Sequence, residues 1–502
     1  MCMELQFNKS VCPCLRKVIS QLQTQEQTQE IRVPDSMPDI GRVLGCWGQT
    51  LIRGKEWRGN GMNVSGGVMV WVLYQPEDGS EPRSIDSWIP FQEKWDFSDT
   101  QRDGTICVSA LLKSVDARSI SARKLMLRAV VDMLGQAFEP VDMEVYAPPA
   151  QMPEDIALLK ETYPVQLPQE AGEKSFQMDE QISLPQSLPQ IQKILRYELL
   201  PEITEQKILA GRLVFRGKAL LHMLYRSDDG ALNSWDTELP FSQLSDLDKE
   251  YGSNATAWVL PLLTGLEAEL GEDGKILIKV GITVQYVIYD RTMLELVEDA
   301  YSPFRQVDIQ LAELDVPMLL DAQQEKIQYG AQIRGEYESV VDVFCQREHP
   351  ACRQRGDAIQ VELPAQYQVL CYDAGGALQC MNARSEEMRE LISNRNNDAE
   401  VHLLNCGFPK ASISADGIQI DDGVVMNLAV HSRRGLPMVT ALNVGDLQEA
   451  DPNRPSLILR RAVDVRLWDL AKECGSTVEA IKKTNQLQQE PDADQMLLIP
   501  VC

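Results

Sequence analysis

"IRVPDSMPDIGRVL" (Ile31 to Leu44) and "ISLPQSLPQIQKIL" (Ile182 to Leu195) are one pattern written twice, 151 residues apart. The register holds without a gap through "VSGGVMVWVLYQPEDG" and "FRGKALLHMLYRSDDG". Pro34 and Pro185, Ser36 and Ser187, Gly66 and Gly217, Tyr74 and Tyr225, and Asp78-Gly79 and Asp229-Gly230 all coincide. A weaker third copy is "YQVLCYDAGGALQC", in which Tyr372 stands for Tyr74 and Tyr225. A repeat of this length in a chain of 502 residues predicts three tandem domains, 1–150, 151–305 and 306–450, ahead of a remainder at 457–502.

Each copy reads as mainly β-structure. From Ile278 to Ile288 the apolar residues Ile278, Val280, Ile282, Val284, Tyr286 and Ile288 alternate with others, the period of a strand with one buried face. The Tyr…Asp-Gly pattern predicts a strand ending in a tight turn, where glycine takes a positive φ at no steric cost. Trp88 and Trp235 then fall near the start of the next strand. "VPDSMPD" and "LPQSLPQ" fit neither a helix nor a central strand, since proline lacks a donor, and are expected as extended entries. "QLQTQEQTQE" (Gln21 to Glu30) fits a disordered tract or an extended polar strand equally. "SEEMRELISN" (Ser385 to Asn394) is the clearest helical stretch of the body. Linkers are expected near Ala147–Gln151, Tyr301–Pro303 and Ala450–Pro455.

The last 46 residues differ in kind. Leu467, Leu470, Ala471 and Cys474 form a stripe at helical spacing, and Gly475 follows where a helix would end in a left-handed residue. Ser476 precedes Glu479 by three, the spacing of a capping box for a second helix, with Val478 and Ile481 on its buried face and Asn485 closing it. "SLILRR" can pair with "MLLIPV", giving the order β-α-α-β.

These residues resemble the LysM module. Leu467, Trp468, Leu470, Ala471, Thr477, Val478, Glu479, Ile481, Asn485, Leu498, Ile499 and Pro500 fit its pattern, while its Gly-Asp-Thr turn is Asp464-Val465-Arg466 here. In that family the turn helps shape a groove for N-acetylglucosamine polymers, so its replacement argues against glycan binding. The tandem body, with its "VPDSMPDI" opening and "VLY…DG" turn, resembles the SPOCS domain family of endospore formers. The whole arrangement is similar to SipL-like spore-coat morphogenesis proteins. The resemblance implies a non-enzymatic adaptor on the mother-cell face of the forespore. Its LysM end would engage the coat basement-layer ATPase, stage IV sporulation protein A, with other coat proteins as further partners. The alternative is a cell-wall protein that holds peptidoglycan through LysM.

Composition narrows these readings. A net charge of -26 repels nucleic-acid phosphate and anionic lipid. The opening "MCMELQFNKS" lacks a secretory signal pattern, which predicts a cytoplasmic mother-cell location and favours the coat reading over the wall reading. The longest apolar stretch, Val64 to Tyr74, is too short to span a bilayer, so no membrane insertion is expected.

The twelve cysteines are too sparse for a disulfide scaffold. None of the four histidines, His222, His349, His402 and His431, sits in a catalytic motif, and His222 reads as a packing or surface residue. "GQTLIRGKE" and "GRLVFRGKA" brush the phosphate-loop pattern but carry five residues between their glycines and no hydroxyl after the lysine. Cys345, His349 and Cys352 could hold zinc given a fourth ligand; a polar hairpin turn with incidental cysteines is the alternative. No catalytic residue and no cofactor is expected.

The candidate partner-binding residues are therefore in the terminal module: Arg460, Arg461, Arg466, Trp468 and Lys472. Trp468 either packs on the module's core or anchors a partner. The arginines either pair with carboxylates on a partner or merely solvate the module. From residue 457 to the end there are six basic and seven acidic residues, a net of -1, which leaves -25 on the preceding 456. A near-neutral tip on an acidic body can approach an acidic surface that the body would repel.

Overall fold

The computed structural model describes all residues except 1–2, 98–101, 317, 393–396, 406, 433–434, 449–453, 463–465, 492–494 and 502. After a short β1 (Met3–Gln6), a first set of strands comprises β2 (Asn8–Arg32), β3 (Ile40–Trp57), β4 (Gly61–Pro76), β5 (Arg83–Asp96), β6 (Thr105–Ser121) and β7 (Lys124–Ala147). The second set is β8 (Ala157–Ile182), β9 (Ile191–Leu209), β10 (Arg212–Ser227), β11 (Leu232–Asp246), β12 (Thr256–Leu270) and β13 (Ile276–Tyr301). In the third, four strands are broken: β14 (Arg305–Leu314) and β15 (Met318–Arg334), β16 (Tyr337–Arg347) and β17 (Ala351–Arg355), β18 (Ala358–Asp373), β19 (Leu378–Ile392), β20 (Asn397–Asn405) and β21 (Lys410–Ser414), β22 (Gly417–Ser432) and β23 (Leu436–Leu447). The chain ends in β24 (Leu457–Arg461), α1 (Leu467–Cys474), α2 (Val478–Asn485) and β25 (Met496–Pro500).

The fold is thus mainly β, and one antiparallel scheme recurs. In the first set, β2-β7-β6 form one sheet and β3-β4-β5 the other; β8-β13-β12 with β9-β10-β11, and β15-β22-β20 with β16-β18-β19, repeat it. Alternating residues of each sheet pair enclose an aliphatic core. Ile278, Val280, Ile282, Val284, Tyr286 and Ile288 all point into the second core from β13. Gln21 to Glu30 lie within β2, paired along β7, so the polar tract is strand.

Local readings that differ have plain causes. Ser385 to Ile392 belong to β19 rather than a helix, because pairing with the buried β18 outweighs the helical preference of Glu, Met and Leu; residues 393–394 lie outside the described residues. The proline-rich entries are turns, not extended segments: Met37 N–H donates to Pro34 O (2.9 Å) and Leu188 N–H to Pro185 O (3.0 Å). Proline in the first position of such a turn supplies only its carbonyl, so its missing donor costs nothing.

The hairpin glycines Gly79, Gly230 and Gly376 have φ of 76°, 86° and 75°. Counting back from them, Cys371 and not Tyr372 occupies the place of Tyr74 and Tyr225. Cys371 is buried in the third core, whereas Tyr372 faces the opposite way. A one-residue slip inverts every side chain of a strand.

The three units pack around a common axis. Leu73, Leu224 and Leu370 occupy matching places in one shared apolar cluster, and they are paired across the sheets with Gly45, Arg196 and Asp342. Two of those positions, Arg196 and Asp342, meet directly. Arg196, 1% exposed, places its guanidinium 3.0 Å from Asp342 and between the rings of Trp47 (5.2 Å) and Phe344 (4.9 Å), one from each neighbouring unit. His222 Nε2 lies 2.7 Å from Asp342 Oδ1 and Nδ1 is 2.5 Å from Asp236. Farther along, Cys14, Val165 and Leu314 with Met143, Leu294 and Leu436 belong to a second shared cluster, to which all three units again contribute.

Polar side chains complete the contacts. Gln49 binds both backbone groups of Leu199, and Gln285 both of Val108, each amide standing in for a strand neighbour. Glu400 takes Lys17 at 2.6 Å, closing the ring between the third and first units.

Burial works against the His222 imidazolium, but the Asp342 carboxylate and the hydrogen bond to Asp236 outweigh it and raise its pKa to about 9. A raised folded-state pKa gives stability that is complete below the unfolded value of about 6.5 and is lost as pH rises through about 9. Urea unfolding between pH 6 and 10 should show a loss on the order of 2–3 kcal/mol that His222→Gln removes. A wild-type profile as flat as the variant's would contradict the assignment.

Candidate partner interface on the C-terminal module

The module is built as a two-helix layer on a two-stranded ribbon. Leu467, Trp468, Leu470, Ala471 and Cys474 are buried on α1, and Ile481 on α2. Gly475 ends α1 at φ 63°, and Ser476 N–H donates back to Ala471 O at 2.9 Å.

Two caps differ from the sequence expectation. Thr477, not Ser476, caps α2, accepting from Ala480 N–H at 3.1 Å; the Ser476 hydroxyl instead donates to Pro500 O. The left-handed residue closing α2 is Gln486, φ 56°, because the Asn485 amide is used elsewhere: it donates to Leu498 O (2.6 Å) and accepts from Leu498 N–H (2.8 Å). These bonds tie α2 to β25, which pairs antiparallel with β24 from Leu457↔Pro500 to Arg461↔Met496.

The module sits on the end of the long antiparallel β8–β13 strand pair. The Trp468 indole N–H donates to Asp299 Oδ2 at 2.8 Å, and its ring meets Tyr301 edge-on with centroids 4.7 Å apart. Lys472 Nζ lies 2.7 Å from Asp299 Oδ1. Ala157 and Leu159 of β8 pack against the same cluster. The structure thus turns Trp468 and Lys472, two of the candidate partner residues, toward the body.

The other three lie on the surface. Arg460 pairs with Glu473 of α1, and Arg466 with Asp469 at 3.2 Å, a hydrogen bond that raises the Arg466 pKa. Arg461 lies on the outer row of β24. Of the replaced turn, Asp464 and Val465 lie outside the described residues.

Sequence reasoning passed over the ribbon's outer face. Leu457 (49% exposed), Leu459 (61%), Leu498 (39%) and Met496 (53%) stand on that face, with Leu459 directly opposite Leu498. The signal was available: "LIL" and "MLLI" are apolar on both faces of a ribbon, and the helices can cover only one.

The cysteine cluster does not converge. Cys345 on β16 is paired with Tyr367 of β18, and Cys352 on β17 with Val361, six residues farther along, about 20 Å apart at strand spacing. The Cys345 thiol points to Asp422 at 3.4 Å, and burial pushes its pKa up. His349 lies in the break between the two strands, its pKa lowered by burial to about 4. Among the described residues no group of three or more His, Cys, Asp or Glu is placed to hold a metal ion. Among the described residues no helix is long and apolar enough to cross a membrane.

Residues 190–259 match the family described as SipL, SPOCS domain. A SPOCS domain is therefore present, spanning β9, β10, β11 and the start of β12 in the second unit. The match does not reach the C-terminal module, whose likeness to LysM rests on its residues and its β-α-α-β order. No curated protein and no solved structure matches the chain.

Removing the seat should free the module without unfolding it. Asp299→Ala deletes the three charge-assisted hydrogen bonds that its carboxylate accepts from Trp468 and Lys472, a shielded one being worth about 1.5–3 kcal/mol. Hydrogen exchange in α1 should accelerate while the amides of β10 and β18 keep their wild-type rates. Unchanged α1 rates would show that Asp299 does not hold the module.

Proposed function

We propose that this protein is a non-enzymatic spore-coat morphogenesis adaptor, in which the three sheet pairs are SPOCS-like domains and residues 457–502 a LysM domain that binds the coat basement-layer ATPase. The SPOCS match in the second unit carries the coat assignment. The exposed apolar ribbon of the module supports its binding a protein. Four large apolar side chains in one small patch are expensive to leave in water, and a partner surface would cover them. Arg461, opposite Met496 on that ribbon, suits a carboxylate at the rim of the patch, and the module's net of -1 permits approach where the body's -25 would repel. Other coat proteins can use the remaining surface of the body. Glycan binding by the module is not part of this reading.

The test compares capture of the purified coat ATPase by wild type, Leu459→Asp, Leu498→Asp and Arg466→Ala. All three positions are exposed, so the fold should persist. Each aspartate should weaken capture by at least tenfold and Arg466→Ala by a few-fold. Undiminished capture by both aspartate variants, with chitin-oligomer binding lost in Arg466→Ala, would favour the cell-wall reading instead.

A further inference from the structure

A cleft of about 330 Å³ lies between the second and third units, away from the C-terminal module. Its floor is the outer face of the β15–β22–β20 sheet. Gln324, Asn427 and His402 form one cross-strand row there, and Ala429 beside Glu400 begins the next. The small Ala429 leaves the hollow open. Its wall is the outer face of β12 and β13, carrying Trp258 and Tyr289.

The polar groups are arranged with bonding capacity left over. The Trp258 indole N–H is buried and has no acceptor. Gln206 donates to Ala257 O at 2.8 Å, which leaves its carbonyl oxygen to accept. Glu400 is engaged by Lys17 at 2.6 Å and by His402 at 3.2 Å, so its charge is balanced within the floor. The cleft is thus uncharged overall, rich in amides, and walled by one indole. It also falls at the small end of ligand pockets.

We infer that this cleft is a binding site for a neutral saccharide of one or two rings. Amide and indole donors and acceptors match the hydroxyls of a sugar ring. A nucleobase fits less well, because the Trp258 and His402 rings are inclined at 49° with centroids 4.3 Å apart and form no parallel slot. Nucleotides carry phosphate, which a chain of net charge -26 repels. Glu400 is the one carboxylate among the lining residues, and glycoside hydrolysis ordinarily needs a pair, so the site binds without cleaving.

The test is titration calorimetry on the full chain with glucose, N-acetylglucosamine, cellobiose, chitobiose and adenosine. Wild type should bind at least one saccharide saturably below ~10 mM. Ala429→Trp, which fills the hollow, and Asn427→Leu, which removes an amide at constant bulk, should each weaken that binding by about tenfold or more. Leu459→Asp on the module should leave it unchanged, which separates this site from the partner interface. Lack of saturable binding by every saccharide, binding of adenosine alone, or saccharide binding indifferent to Ala429→Trp would overturn the assignment.

Discussion

One buried guanidinium organises this molecule. Gly45, Arg196 and Asp342 hold matching places in the three units; Arg196 and Asp342 pair at 3.0 Å, and Gly45 lies against Trp47, whose ring flanks Arg196. Identical side chains would fail there: three cations would repel, and three large apolar groups would not fit. The repeats have instead diverged into a residue without a side chain, a cation and an anion. At Gly45 an added Cβ would come within 2.6 Å of the Trp47 ring, whose indole flanks Arg196. Arg196 is desolvated, and Asp342 with two aromatic faces offsets that cost. A buried ion pair contributes little net stability, but breaking one partner is expensive, on the order of 3–5 kcal/mol.

From that ring follows the placement of everything else. The strands of the second unit run past its own core as the paired β8 and β13, whose inner residues join the second shared cluster and whose end supplies Asp299 and Tyr301. The module seated there is held by one carboxylate that takes both the Trp468 indole and the Lys472 ammonium. Its helices face the body and its ribbon faces away, so the surface left for a partner is the apolar one. The proposed adaptor role needs a rigid base and a presented face, which this arrangement would supply.

Much of the fold was legible in the sequence because β-structure with one buried face leaves a period of two, and the 151-residue register repeats it. The Ile278–Ile288 strand and the β-α-α-β order of the module could be read directly. The axis could not: Gly45, Arg196 and Asp342 share no chemistry, so no comparison of residue types would align them. The third copy was read one residue out at Tyr372, since a broken strand shifts the face without erasing the pattern. Ser385–Ile392 looked helical because its composition is; pairing to β18 decides otherwise. At the candidate site, arginines drew attention through charge, while the exposed leucines were hidden by the ordinary assumption that apolar strand residues are buried. Trp468 was legible as a contact residue but not as to which surface it touches.

Hydrogen exchange of the full chain, alone and with the purified coat ATPase, tests the central claim most directly. The account predicts new protection at Leu457–Arg461 and Met496–Pro500, with α1 and the axial strands β9 and β16 unchanged. Protection confined to the β-rich body, with the ribbon exchanging as in the free protein, would contradict it.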